Sequence, residues 1–556
     1  MTAAILLVVQ FLLADLLAQL LYRCYFHPLA RYPGPFLARF TNIWRFASFL
    51  RGQHHLTEEK LHQRYGPIVR VAPDWLSFSQ LPAFEAIYGF HKAIEKDDFY
   101  TFGAPRPQTD VSVFATQSNP VHRQKRRRML APALTRTKVL RYEPVIARHV
   151  AVLVARLEAG LREQEEGRQA DSGQMEVEVE VEVNVAPLVH RFTLDVMLDI
   201  LFGPAVGPHP YTDNEVAGDL GASIRYVSRM VWSYSLWPAF GWLMNTRLAV
   251  ACLRRPRYNA AGAMVGLNGL MHRAAAAILG TPEVFVRAEG SQQQQQQQPG
   301  IVESWLRVGM GMGSSADGVA DNHQKMTPAE AVSEAFNLVF AGPGSMAAAL
   351  TAVLYQLGLP EGQVWQEKLR AGAGSEALEG SISMEGSSPS LSPPLELQAV
   401  IKETLRFRAP FPTAFPRVIR SGAEMAIPGL SHPLPAGTTV SASTYVLGRS
   451  REIWGEDADQ WVPQRWLLGS ADNDDDDDEE SRRQMDRRFV AFSRGPRGCS
   501  GRDLASLILA KAARAIVQRW RFSASAAAEL RGASFLEMQY DLCQLRFVQR
   551  SSSSSD

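Results

Sequence analysis

The ten residues Phe492-Ser-Arg-Gly-Pro-Arg-Gly-Cys-Ser-Gly501 constrain this chain more than any other stretch. Three glycines and a proline disfavour a regular helix or strand and leave an irregular loop. Directly after it, Leu504, Leu507, Ile508, Ala512 and Ile516 recur at helical spacing. A loop of this kind brings backbone N–H groups and a helix N-terminus towards the Cys499 sulfur. Those dipoles, together with Arg497, favour thiolate over thiol. Glycine also lets a large planar group approach the backbone closely. Composition alone leaves a second possibility open, an ordinary buried cysteine in a glycine-rich turn.

The remaining cysteines, Cys24, Cys252 and Cys543, lie far from Cys499 and from one another, with no CxxC pair. This argues against a disulfide framework or a zinc site and fits a reducing compartment. Lys plus Arg is 58 and Asp plus Glu is 57, a net charge of +1, so nothing global points to nucleic acid. With 556 residues, 46% of them hydrophobic, the chain can bury a large core.

Ala3 to Tyr22 is an apolar run broken only by Gln10, Asp15 and Gln19. At about 1.5 Å per residue a helix there spans roughly 30 Å, the thickness of a bilayer core. Asp15 opposes insertion by about 2.5–3.5 kcal/mol. No Lys or Arg precedes the run, whereas Arg23, Arg31 and Arg39 follow it, which predicts a cytosolic orientation for the rest of the chain. A cleaved signal peptide is the competing reading, but the basic n-region and an A-x-A-like site are missing. Three prolines within His27–Pro35 predict a stiff hinge. The expected organisation is an anchor over residues 1–26, a hinge over 27–35, a catalytic domain over 36–550 and a disordered Ser-rich tail over 551–556.

Within the catalytic region the pattern is mainly α with minor β. Ile68–Ala72 and Trp75–Ser79 read as strands around the turn Pro73-Asp74, with further strands expected around residues 411–445. Helical periodicity is clear in Pro187–Phe202, Pro328–Leu357, Leu395–Phe407 and Asp503–Trp520. The alternating Glu176–Glu182 suits an exposed strand or a biased loop. The glutamine tract Gln292–Gln298, the Gly/Ser-rich Gly372–Ser390, the acidic run Asp474–Glu480 and Ser551–Ser555 read as surface loops.

The cysteine loop matches Phe-x-x-Gly-x-Arg-x-Cys-x-Gly at every specified position, and here the chain resembles the cytochrome P450 family. The resemblance implies a single large haem domain of P450 fold behind an N-terminal transmembrane helix. It implies Cys499 as axial thiolate, Phe492 packed beneath the haem and Arg497 on a propionate. Glu403-Thr-Leu-Arg406, followed by Pro463-Gln-Arg-Trp466, stands in the family's order before the loop. It implies a buried Glu403–Arg406–Arg465 network, for which a planar guanidinium is suited. His122 with Arg126 four residues later resembles the family's haem-contacting helix, and Arg417 after Pro416 fits a further propionate contact. The basic run Lys125–Arg128, with Arg136 and Lys138, lies where the resemblance places the docking face of an electron-donating flavoprotein. Phe102, Phe114, Phe336, Phe340 and Phe411 fall in its pocket-lining segments.

One segment departs from the family. Where an acid and a threonine usually stand beside the oxygen, this chain reads Ala341-Gly-Pro-Gly-Ser345, so Gly344 replaces the acid and Ser345 the threonine. Pro343 removes a backbone donor and should deepen a kink. Glu334 precedes Gly344 by ten residues, about 15 Å along a helix, so no carboxylate of this helix substitutes. Ser345 is therefore the candidate catalytic hydroxyl.

The expected activity is haem-thiolate monooxygenation of a lipophilic small molecule, with electrons from NADPH through a diflavin reductase. The implied setting is the endoplasmic reticulum, as a single-pass membrane protein in fungal-type secondary metabolism. The missing acid keeps desaturation, rearrangement or peroxide-driven chemistry open, and a non-enzymatic membrane haem protein is a third possibility.

Overall fold

The computed structural model describes residues 2–101, 112–172, 180–203, 228–229, 232–233, 235–237, 300–309, 327–371, 393–467, 476–524 and 530–548. Its centre is the helix Pro328–Gly358. Thr327 starts it with a capping box: its hydroxyl accepts from the Glu330 N–H, and the Glu330 carboxylate accepts from the Thr327 N–H. Pro328 at the first position loses no hydrogen bond. The helix stays continuous through Pro343, whose carbonyl accepts from Thr193 Oγ1 at 2.9 Å. It packs against Val185–Phe202, Leu395–Phe407 and Arg502–Arg519, and their apolar faces form one core with Leu350, Val353, Leu357, Val400 and Ile508 fully buried.

Ten strands form three sheets among the described residues. The first contains β1 (Ile68–Ala72), β2 (Trp75–Phe78), β3 (Ile94–Lys96), β5 (Arg417–Ile419) and β6 (Thr439–Ala442), ordered β1-β2-β6-β5-β3. Only the β2–β6 pair is parallel. The second sheet joins β4 (Glu180–Asn184), β10 (Gln544–Val548) and β7 (Arg521–Ala524). The third is the hairpin β8 (Arg531–Phe535) and β9 (Glu537–Leu542), linked by Leu536 at a φ of 80°.

The first hairpin and the four helices lie within two residues of the positions expected from periodicity. Part of the Glu/Val run is a strand, β4. The acidic run corrects an expectation, because Asp476–Arg488 is a helix rather than a loop. Arg487 and Arg488 in its last turn complement the negative end of the helix dipole. The glutamine tract, the Gly/Ser-rich stretch and the Ser tail lie outside the described residues.

The N-terminal run forms a helix over Thr2–Leu21, with Phe11, Leu13, Leu16 and Leu17 among its exposed side chains. Among the described residues, the helix that meets the length and hydropathy needed to cross a membrane is Ala329–Gly358, and that is the buried core helix. A transmembrane helix at the N-terminus is therefore not established by the fold. The segment that follows is tied to the domain: Arg23 Nη1 donates to Phe40 O, Arg39 Nη1 to Cys24 O and Arg70 Nη1 to Arg23 O.

Candidate functional site

The glycine-rich loop is built as a tight cradle. Ser493 and Gly495 both have positive φ, 57° and 67°. A β-carbon on Gly495 would strike the Tyr88 carbonyl and lie 3.1 Å from Gly89. The Cys499 N–H closes the loop on Phe492 O at 2.9 Å. Its sulfur opens onto an internal cavity although it lies deep in the molecule. Burial pushes the thiol up from its usual value, opposed by the Gly501 N–H and by Arg126 and Arg502. The cations that favour thiolate are therefore these two arginines rather than Arg497. Phe492 lines the same cavity, with the Arg502 guanidinium 5.6 Å from its ring centre.

The cavity measures about 320 Å³. The loop forms one wall, and Ala341, Gly342, Ser345 and Ala349 of the central helix line it too. Phe114, Phe340, Phe411, Phe415 and Trp232 give it an apolar lining. Of the expected pocket aromatics, Phe336 lies in the core stacked on Phe340, and Phe102 is outside the described residues.

His122, Arg126, Arg417 and Arg497 all line this cavity. Lys96, which sequence reasoning missed, joins them from the end of β3. Among the described residues none of the five forms an ion pair with a carboxylate. Burial, followed by repulsion from Arg497, Lys96, Arg126 and Arg417, drives His122 down to about 2. Burial first, then Arg417, lowers Arg497 to about 10. His122 is thereby neutral, and three guanidiniums and the Lys96 amine share the cavity with no carboxylate at ion-pair distance among the described residues, which is unfavourable. A large planar apolar group carrying carboxylates would satisfy both the cations and the apolar walls. With the Cys499 sulfur facing the same space, the residues fit a haem.

Several of these side chains have further partners. Arg497 donates to Asn119 Oδ1 at 2.9 Å, Thr116 O at 2.8 Å and Gln117 O at 2.5 Å, leaving two of its five N–H groups. Arg126 donates to Pro496 O, and Arg417 donates to the Tyr100 hydroxyl at 2.7 Å. The basic run is divided by the fold. Arg126 turns into the cavity and Arg128 pairs with Glu330 at 2.6 Å. Arg123, Arg127, Arg136 and Lys138 stay exposed.

Behind the loop, Arg406 donates to Glu403 Oε1 at 2.7 Å and to Oε2 at 2.9 Å, and Arg465 donates to Oε1 at 3.1 Å. Glu403 also accepts from Trp466 Nε1 and the Val462 N–H. All three charged residues are buried, and every described polar atom of Glu403 is engaged in this network.

Ser345 Oγ donates within its own helix, to Ala341 O at 2.8 Å and Gly342 O at 3.0 Å. Two buried carboxyls also line the cavity, and burial raises each to about 7. One is Glu334, whose Oε2 accepts from the Val113 N–H at 2.8 Å. The other is Glu537 of β9, invisible to sequence reasoning because it lies almost two hundred residues from Ser345 along the chain.

The Cytochrome P450 family model matches residues 33–241 and 310–530. The cytochrome P450 monooxygenase ABA2 of Pyricularia oryzae is 27% identical over 508 residues, covering 86% of this chain and 82% of that protein. A cytochrome P450 monooxygenase of Aspergillus terreus is 26% identical over 503 residues, covering 89% and 90%. The cytochrome P450 monooxygenase mpaDE of Penicillium roqueforti is 25% identical over 500 residues, covering 88% of this chain and 51% of that protein.

Proposed function

The chain belongs to the cytochrome P450 family and is a haem-dependent monooxygenase supplied with electrons by a reductase, usually from NADPH; from that premise we propose that it inserts one oxygen atom of O2 into a lipophilic small molecule in fungal secondary metabolism. The observation that carries this reading is the cavity itself. It combines an accessible buried thiol, basic side chains with no ion-paired carboxylate among the described residues, and an apolar aromatic wall.

In this reading Cys499 would ligate the haem iron through its sulfur, Arg126, Arg417, Arg497 and His122 would hold the propionates, and Phe492 would pack against the macrocycle. When bound, the haem supplies O2 activation, with thiolate ligation favouring O–O cleavage. The chain's own residues do the rest. The aromatic lining excludes water and takes up an apolar substrate. Ser345 Oγ moves protons: its hydroxyl swings from Ala341 O to donate into the cavity and takes a replacement proton from water. The Glu403 network holds the cysteine side of the core rigid.

The exposed Arg123, Arg127, Arg136 and Lys138 steer an acidic diflavin reductase to this face. Residues 1–26 anchor the chain by one pass in the endoplasmic reticulum membrane, with the catalytic domain in the cytosol. The exposed apolar side chains of Thr2–Leu21 and the basic residues after it support that topology. Turnover with NADPH, the reductase and isotopically labelled O2 tests the oxygen insertion. One labelled oxygen atom per product molecule is expected. A dehydrogenated or rearranged product without label would replace insertion with the alternative suggested by Gly344.

A further inference from the structure

We infer that Glu537, carried into the cavity by the β8–β9 hairpin, is the protonatable group that recharges Ser345, in the space Gly344 leaves open. The inference rests on reading Ser345 as the proton-moving hydroxyl. Gly344 and Glu537 meet closely. A β-carbon on Gly344 would lie 2.7 Å from both Cδ and Oε2 of Glu537, and closer still to Oε1. Any side chain at 344 would therefore displace this carboxyl. The glycine and the acid occupy one place between them, and the acid arrives from a strand instead of from the helix.

The hairpin is built to hold it there. Leu536, which precedes it, adopts a φ of 80° that a leucine rarely takes. The Leu536 carbonyl accepts from Thr413 Oγ1 at 3.0 Å, and the Met538 N–H donates to Pro410 O at 2.7 Å. Both neighbours of Glu537 are thus fixed by bonds to the Pro410–Thr413 segment. Glu537 is 3% exposed and lines the same cavity as Ser345.

Its chemistry suits a relay. Glu537 Oε1 accepts from Gln539 Nε2 at 3.1 Å, and no described cation pairs with it. Gln539 Oε1 is buried without a hydrogen-bond partner, so a neutral acceptor stands ready for a protonated carboxyl or a water. Burial raises Glu537 to about 7, with the Gln539 bond opposing, so it gives and regains protons near neutrality. Glu334 is less suited, because the Val113 N–H already holds its Oε2 and it sits nearly three turns before Gly344. The step moves protons only. The Glu537 carboxyl proton passes, through a water, to Ser345 Oγ as the serine's own proton moves on into the cavity, and the carboxylate regains a proton from solvent water.

The test compares the haem-loaded wild type with Glu537→Gln, Ser345→Ala and the double variant Gly344→Asp/Glu537→Ala. Infrared difference spectra at neutral pH give a readout independent of turnover. Glu537→Gln should lose one protonated-carboxyl band that Ser345→Ala retains, while the Glu334 band persists in both. In turnover, Glu537→Gln should slow product formation by on the order of 10²-fold, with peroxide released in its place. Gly344→Asp/Glu537→Ala, which returns the acid to the helix, should recover coupling. If Ser345→Ala uncouples and Glu537→Gln does not, Glu537 is not the relay and the Ser345 reading stands. If neither uncouples, the Ser345 reading has failed first. Weaker substrate binding with full coupling at saturation would make Glu537 a substrate contact and overturn the inference.

Discussion

At Ser345 one hydroxyl has two possible tasks. It can satisfy carbonyls of its own helix, as in the geometry at Ala341 and Gly342, or it can donate into the cavity. An intrahelical serine bond is a weak competitor, so rotation into the cavity is accessible. Ser345→Ala should therefore lower product per NADPH and raise peroxide, on the order of 10²-fold in product-forming rate, with haem content unchanged. Product, peroxide and NADPH measured in one reaction check this, and equal coupling in both proteins would remove Ser345 from the mechanism. At this scale Cys499, Arg126, Arg417, Arg497 and His122 stand out in the sequence through the family resemblance, which short local motifs carry. All five line one cavity. Glu537 and Lys96 were not legible, since tertiary folding alone brings β9 and β3 to that cavity.

The elements show the same division. A helix announces itself by periodicity over many residues, and the helices around the core were readable to within two residues. β7 to β10 are short strands whose alternation is broken by Leu536 and Cys543, so the whole C-terminal sheet region escaped notice. Asp476–Arg488 differs for another reason: a run of acids reads as a solvated loop, while the arginines that favour a helix end, Arg487 and Arg488, lie beyond the run. The Leu395–Phe407 helix carries the Glu403–Arg406 pair at i,i+3, and Arg465 completes the network from another segment. Arg406→Leu leaves the buried Glu403 with one cation fewer and removes the donors to Gly448, Ala458 and Gln460 carbonyls. The expected cost is about 3–5 kcal/mol of stability. It should appear as a lower urea midpoint of the haem-loaded protein, and an unmoved midpoint would show that the network is dispensable.

For the whole molecule, the described residues that line the haem-side cavity run from Val113 to Glu537, with Lys96 alone coming from the first hundred. Deleting residues 1–26 should therefore release much of the protein from membranes while preserving haem content, measured on the soluble and pelleted fractions. A truncated chain unable to bind haem would mean that the Arg23 and Cys24 contacts to the domain are structurally required. One spectrum tests whether the Cys499 sulfur ligates the haem iron. The ferrous–CO complex of the full-length protein should show the red-shifted absorption of thiolate ligation, and Cys499→Ala should lack it. A wild-type spectrum like that of a histidine-ligated haem would contradict the account.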